Sequence, residues 1–485
     1  MTESTNEPRY TENMQESLLH IQTLLEKHAL VEEVAHKEAL PRADRHALID
    51  TLVHKQHLTK LRAKLDEMHA ADIAYVLEAL PIEQRLQVWD LVKSERDGEI
   101  LIEVSDSVRE SLIASMNREE LSAAAGQLDA DEIADLAPDL PQNVMRDVFK
   151  SLSIEDREQL RSAMSYSEDS VGALMDFNMI HVRDDITLEV VSRYLRRFDE
   201  LPDHTDQIFV VDRDERLIGV LPLKRIVINE PDVLVSNLMH TEMKLLHPDE
   251  KADKAAQAFE RYDLVSAPVV DEDGKLVGRV TVNVVLDYVR TESESDLLNQ
   301  AGLLEEEDIF ASVWKSAKNR WVWLALNLCT AFFASRVIGS FEGTIEKFVA
   351  LATLMPIVAG IAGNSANQTT TIIIRALALG QITQANGTRL LLKELAISGL
   401  NGLVWGGVAG LFAYYLYHNV ALGLVMTSAM LLNLIAGALV GLLIPMAMHR
   451  FGRDPAIGSS VLLTAITDSG GFFIFLGLAT IFLIN

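Results

Sequence analysis

Asp468 is the single acidic residue in an otherwise uncharged run from 455 to 485, which is long enough to cross a bilayer. An ionisable side chain inside a membrane span is costly and by default marks an ion or proton path. Ser460, Thr464 and Asp468 recur every four residues and so share one helix face. Two hydroxyls and a carboxylate are oxygen ligands of the kind that suits a hard cation such as magnesium. A second polar group breaks the apolar pattern of 356–378, where Asn364, Ser365, Asn367, Gln368 and Thr369 sit near Gly360, Ala362 and Gly363. A lone amide would be ordinary glue between helices. This density points instead to side chains or unwound backbone lining a wet cavity, where polar groups are tolerated at membrane depth. Asn364, Asn367, Ser460, Thr464 and Asp468 are therefore the candidate ion pathway, with Asp468 as its metal-binding carboxylate.

Such residues need membrane-spanning elements to hold them, and a bilayer core takes about 20 apolar residues per helix. Five runs qualify, at about 321–340, 348–374, 395–417, 421–448 and 455–484. An odd number of spans puts the two termini on opposite sides. Lys315, Lys318 and Arg320 precede the first run, Arg375, Arg389 and Lys393 separate the second from the third, and Arg450 and Arg453 separate the fourth from the fifth. The other loops carry little beyond Arg336 and Lys347, so the positive-inside rule places the N-terminal region in the cytoplasm and the C-terminus outside, in a multi-pass cell (inner) membrane protein.

The charge is unevenly placed. Of 70 acidic and 43 basic residues, only 5 and 7 lie after residue 320, which leaves the first 320 residues with a net charge of −29. An acidic balance of this size repels nucleic acid and anionic lipid and attracts cations. The single cysteine, Cys329, excludes a disulfide framework or a cysteine metal cluster within one chain. The polar N-terminus, MTESTNEPRYTENMQES, has no apolar core of a cleaved signal.

Two internal repeats organise the acidic region. ADIAYVLEALP at 71–81 recurs as DEIADLAPDLP at 131–141, with apolar residues at helical spacing and proline breaks, which predicts a superhelix of short helices over about 47–165. FVVDRDERLIGVLPLKRIV at 209–227 matches PVVDEDGKLVGRVTVNVVL at 268–286, aligning Asp212 with Asp271 and Gly219 with Gly278. Each copy reads as strand, tight turn and strand, preceded by a helical pattern (LEVVSRYLRRF, DKAAQAFERYDL). This tandem unit resembles a pair of cystathionine-beta-synthase (CBS) domains, regulatory modules that often bind adenine nucleotides, so ATP is a cofactor the resemblance implies. The pattern of Thr or Ser, two residues, then Asp that commonly holds the ribose is absent. Pro222 and Arg225 occupy those places in the first copy, and Thr281 with Val284 in the second. A structural, dimer-forming role stands beside nucleotide binding.

Between the second hairpin and the membrane, Asp287, Glu292, Glu294 and Asp296 are followed by Glu305, Glu306, Glu307 and Asp308 on a helical linker that also carries Leu297, Leu298, Phe310, Val313 and Trp314. A carboxylate-rich helix entering the first span can transmit domain movement to a pore, and its carboxylates repel until a cation bridges them. With GNSANQTTTIIIRALA and DPAIGSSVLLTAITD in the spans, the chain resembles the MgtE family of bacterial magnesium channels over nearly its full length. The resemblance implies a homodimer in the lipid bilayer with the pore on its two-fold axis, where Asp468 of both subunits would hold one largely hydrated Mg2+. It also implies regulatory Mg2+ sites that hold the pore shut, made by Asp131, Asp135, Asp249, Asp253, Asp263, Asp287, Glu292 and Asp296. Val284 and Lys251 stand where the family has acids, which would shift ligation toward Asp271, Asp273 or Glu294.

The expected organisation is multi-domain. A partly helical leader spans 1–46, an all-α superhelical N domain 47–165, and α+β tandem CBS domains 166–228 and 229–290. An acidic connecting helix follows over 291–320, and a five-helix α transmembrane domain over 321–485. The expected function is magnesium import with divalent cations and no nucleic acid as partners, and selectivity among Mg2+, Mn2+, Co2+ and Ni2+ stays open. A secondary transporter exchanging Mg2+ for Na+ or H+, and a membrane-anchored Mg2+ sensor, are the alternatives. An enzyme is not expected, since no phosphate-binding loop, HExxH pattern or nucleophile constellation is present.

Overall fold

The computed structural model describes residues 14–37, 58–303, 308–378, 381–382, 386–451 and 459–484. Residues 1–13 and 38–57, the carboxylates Glu305, Glu306 and Glu307, Arg453 with the start of the fifth run, and the side chain of Ser460 lie outside the described residues. The chain forms two compact units: a soluble one up to Thr291 together with 308–311, and one containing the membrane helices.

After a 24-residue helix, Met14–Lys37, the soluble unit continues in helices of 7 to 10 residues: Ala70–Glu78, Ile82–Trp89, Asp97–Glu103, Asp106–Ile113, Arg118–Ala125, Ala130–Leu136, Gln142–Ser151 and Ile154–Ala163. Helices this short are marginal alone and depend on packing. Ile73, Leu77, Leu80, Ile100, Leu112, Ile133, Leu136, Val148 and Leu160 supply it in one continuous core. The repeat read from the sequence is structural: Ile73 and Ile133 are fully buried at equivalent places, and Pro81 and Pro141 each open the next helix. Proline is preorganised for that position because its missing N–H would be unpaired there anyway.

Two α+β modules follow. In the first, β1 (His181–Arg183) pairs in parallel with β2 (Gln207–Val211), which pairs antiparallel with β3 (Leu217–Pro222). In the second, β4 (Ser266–Val270) and β5 (Leu276–Thr281) form the equivalent hairpin. Asp212 and Asp271 do the same work in the two turns, each accepting backbone N–H bonds from residues two and four ahead. The left-handed turn position is Gly274 in the second copy and Glu215 in the first, where a side chain tolerates the conformation at some cost. Helices Leu188–Leu195 and Ala252–Tyr262 lie where the helical patterns predicted them.

Five long helices make up the apolar region: Val313–Gly339, Ala350–Ala378, Gly387–Tyr417, Val420–Arg450 and Ser459–Ala479, the last ending in a π turn, Thr480–Ile484. Among the described residues, four helical stretches are long and apolar enough to cross a membrane by length and composition, and Ala350–Ala378 is not among them because its polar run lowers its hydropathy. That run does not unwind the helix, contrary to one of the two expectations. Its threonines satisfy themselves without breaking the backbone: Thr371 donates to the Asn367 carbonyl at 3.0 Å and Thr370 to the Gly441 carbonyl of a neighbouring helix at 3.1 Å. The third helix begins at Gly387, well before its apolar run, so Arg389, Lys393 and Glu394 ride on it.

Small residues let these helices approach closely. A Cβ at Gly410 would lie 2.5 Å from the Gly423 carbonyl, and one at Gly441 only 2.6 Å from the Ala366 carbonyl. Helix association in lipid depends on such close packing, since lipid tails are as apolar as leucine. Val420–Arg450 is thereby gripped on two sides and becomes the most buried of the candidate spans.

Candidate functional site

The polar face of Ala350–Ala378 and that of Ser459–Ala479 meet around one cavity of about 310 Å³. Asn364, Asn367, Thr464 and Asp468 all line it, so the two motifs separated by a hundred residues of sequence are brought together. Thr371 adds a hydroxyl that sequence reasoning left out, and the buried Thr370 and Ser459 also line the wall. The signal for Thr371 was available: Gly360, Gly363, Asn364, Asn367, Thr371 and Ile374 form one helical stripe, and all six line the cavity. Gly360 and Gly363 keep its wall open.

Asp468 is half-buried, with no hydrogen-bond or ion-pair partner among the described residues, while Asn364, Asn367 and Thr464 are exposed. The wall is held from behind by buried polar contacts. Thr370 is tied to Gly441, Asn433 donates to the Val358 carbonyl at 3.1 Å, and Thr369 donates to the buried carboxylate of Glu394 at 3.3 Å. The lining residues can supply amide, hydroxyl and carboxylate oxygens as ligands. A cation carrying six waters needs on the order of 200 Å³ at about 30 Å³ per water, so the space suits a largely hydrated ion.

The soluble unit holds a second concentration of carboxylates. Asp131 lies in the first turn of Ala130–Leu136, and its Oδ1 is buried without a hydrogen-bond partner. Burial, with Asp176 as the largest repulsion, pushes its carboxyl up to about 8. Burial also raises Asp135 to about 6 against the pull of Arg109, and raises Glu132. Asp176 was not foreseen. It precedes β1 and is raised by burial, while Arg279 beside it, at 2.7 Å, opposes the rise.

The other proposed regulatory ligands are scattered. Asp249, Asp253, Asp263, Asp287 and Glu292 are exposed, and Asp296 is half-buried. Asp253 accepts from the Tyr288 hydroxyl at 3.1 Å, which joins the second CBS module to helix Val282–Ala301, while Asp263 takes the left-handed position that ends Ala252–Tyr262. Burial raises the Asp287 carboxyl while Arg290 lowers it. Among the described residues no group of three or more His, Cys, Asp or Glu is close enough to hold a metal. Asp271 is occupied in its own turn. At the ribose positions, Arg225 donates to the Leu238 carbonyl at 3.2 Å and Thr281 to Asn283 at 2.6 Å, so both are engaged in local structure.

Comparison with known proteins adds to this geometry. A family model described as a divalent cation transporter, MgtE, matches residues 355–478, one for the MgtE intracellular N domain matches 68–169, and the CBS domain model matches 171–229 and 235–291. The magnesium transporter MgtE of Thermus thermophilus is 30% identical over 433 residues, 87% of this chain and 95% of the relative. That of Bacillus subtilis is 26% identical over 422 residues, 87% and 94% of the two chains. Among solved structures, the cytosolic domain of the Mg2+ channel MgtE in complex with ATP matches with a TM-score of 0.45 and 29% identity, covering 49% of this chain and 97% of that one.

Proposed function

Because this chain belongs to the MgtE family of divalent cation transporters, we propose that it is a magnesium channel of the cell membrane, closed by cytoplasmic Mg2+. The observation that carries this reading is the single cavity lined by Asp468, Thr464, Asn364 and Asn367. Mg2+ dehydrates reluctantly and is held through one or two carboxylates with its waters retained. One carboxylate among amide and hydroxyl oxygens fits that preference.

The same geometry supports a homodimer. Asn364, Asn367 and Thr464 are exposed on helices that lipid would otherwise face, and polar groups within the membrane turn to protein or water. A second copy across a two-fold axis would cover this face and set a second Asp468 against the first. The basic residues Lys315, Lys318, Arg320, Arg389 and Arg450 place the soluble unit in the cytoplasm.

Closure by Mg2+ follows from charge. Two soluble regions of −29 each repel where their acidic faces approach, by roughly 1 kcal/mol per close pair even in water-like surroundings. A divalent cation shared by Asp131 and Asp176, or by Asp253 and the connecting helix, changes the sign of that interaction. It then shifts the population toward the closed state by binding that state more tightly. Chemistry on a covalent substrate has no place in this reading.

The test is uptake by Asp468→Asn in a host lacking magnesium transport, with dimer and membrane insertion checked in detergent. Growth at low Mg2+ should be lost with assembly intact, and normal uptake would refute the pathway. Reversal potentials in Mg2+ gradients separate a channel from an exchanger. Protease patterns of the full chain with millimolar Mg2+ and with chelator test the gate, and identical patterns would refute it.

A further inference from the structure

Arg85 lies one turn into Ile82–Trp89 and is fully buried. Its guanidinium turns back onto the end of the preceding helix, with Nε donating to the Leu77 carbonyl at 2.8 Å and Nη2 to the Leu80 carbonyl at 3.1 Å. A cation is well placed against helix C-terminal carbonyls, but neutral carbonyls do not neutralise it. Nη1 donates to Ser111 Oγ at 3.3 Å and to Asp308 Oδ2 at 2.7 Å, and that carboxylate is itself only 8% exposed. Asp308 is 223 residues away in sequence, in the segment that leads into the first membrane helix. The segment is locally built for the contact. Asp308 Oδ1 accepts from the Phe310 N–H at 2.9 Å, and the Asp308 carbonyl accepts from the Ala311 N–H at 2.9 Å. Ser312 then caps Val313–Gly339, its hydroxyl accepting from the Lys315 N–H.

We propose that the Arg85–Asp308 pair is a clasp by which the N-terminal helical region holds the chain at the entrance to the first membrane helix, a mechanical route to the pore separate from the connecting helix. The proposal rests on the magnesium-gated reading above. A buried ion pair strongly resists removal of one partner, because the other charge is left without compensation. The contact is therefore either made or released as a whole, which is what a two-state gate requires of its parts. Arg85 has a structural task at Leu77 and Leu80 that does not need Asp308, so Asp308 is the cleaner probe. The second sequence repeat has Met145 where the first has Arg85, so the clasp belongs to one copy alone and is not a by-product of the repeat.

The experiment uses the full chain in liposomes and reads the cytoplasmic Mg2+ concentration that halves uptake. Asp308→Asn keeps the acceptor for Phe310 and removes the charge, and Arg85→Met keeps the apolar bulk. Each should raise the half-inhibiting concentration by about fivefold, the lower end of usual coupling between sites, and the double variant should go no further than the larger single. Amide exchange over 308–311 should quicken in Arg85→Met. Unchanged inhibition in Asp308→Asn, or effects of the two substitutions that multiply, overturns the clasp while leaving the gated reading intact. If wild type is not inhibited by Mg2+ at all, the gated reading fails, and unchanged exchange over 308–311 in Arg85→Met is then the result that separately overturns the clasp.

Discussion

Replacing Asp131 by asparagine should stabilise the soluble unit when magnesium is removed, although it deletes a charged group in a highly charged protein. An ordinary aspartate titrates near 3.8, whereas Asp131 is pushed up to about 8, first by burial and then by Asp176. A carboxyl raised on folding favours the folded state while it is protonated. Its contribution is whole below about 3.8 and is lost as pH rises through about 8. At pH 7.5 the gap amounts to roughly 5 kcal/mol at 1.36 kcal/mol per tenfold change in proton binding, and dielectric relaxation at a partly accessible site brings the expected gain to about 2 to 3 kcal/mol. Asparagine keeps the shape and does not titrate. Amide exchange of the full chain in detergent with chelator should show Ala130–Leu136 protected about a hundredfold better in Asp131→Asn at pH 7.5. The advantage should shrink toward pH 5. Millimolar Mg2+ should raise protection of the wild type and leave the variant unchanged. Equal or lower protection of the variant at pH 7.5, or an equal Mg2+ response in both, would refute the idea that this carboxylate waits for a cation.

Gly441→Ala should lower thermal stability in detergent and reduce flux, because its Cβ would sit 2.6 Å from the Ala366 carbonyl and push away the helix that bears Asn367. Gly399→Ala, which meets nothing within 4 Å, is the matched substitution expected to do neither. Asn367→Leu should reduce flux or alter the Mn2+ to Mg2+ preference at unchanged stability, and lost stability with unchanged selectivity would make Asn367 a helix contact instead. Arg279→Met should destabilise the CBS pair by about 3 kcal/mol, the usual cost of leaving a buried partner charge uncompensated. Asp176→Asn in the same chain should recover part of it, as a denaturant midpoint would show.

How much of this was legible in the sequence depends on the range of the physics involved. Asp468 was legible because one carboxylate in an apolar run is anomalous on composition alone. Thr464 followed from helix period, and the same period would have led from Asn364 and Asn367 to Thr371. The repeats were legible because Ile73 and Ile133, and Asp212 and Asp271, repeat local tasks. The continuity of Ala350–Ala378 was not, since it depends on carbonyls that Thr370 and Thr371 find in space. Asp176 was invisible for the same reason. Its relation to Asp131 exists only after the N-terminal helices and the first CBS module have folded together, and no spacing rule connects positions 131 and 176.

The two candidate sites share a deficit that says what kind of device the chain is. In the membrane, polar groups that should face protein or water are exposed on one side of a cavity with a single carboxylate. In the soluble unit, Asp131 has a buried oxygen with no donor, and among the described residues the surrounding acids do not close into a ligand set. An enzyme site generally completes its own constellation within the fold, because catalysis needs donors already in place. A gate needs the reverse: groups left unsatisfied in one state, so that an ion or a second copy gains free energy by completing them and the equilibrium between states moves. Both deficits are of that kind, and in the proposed channel both would be relieved by the same addition, a divalent cation between two copies of this chain.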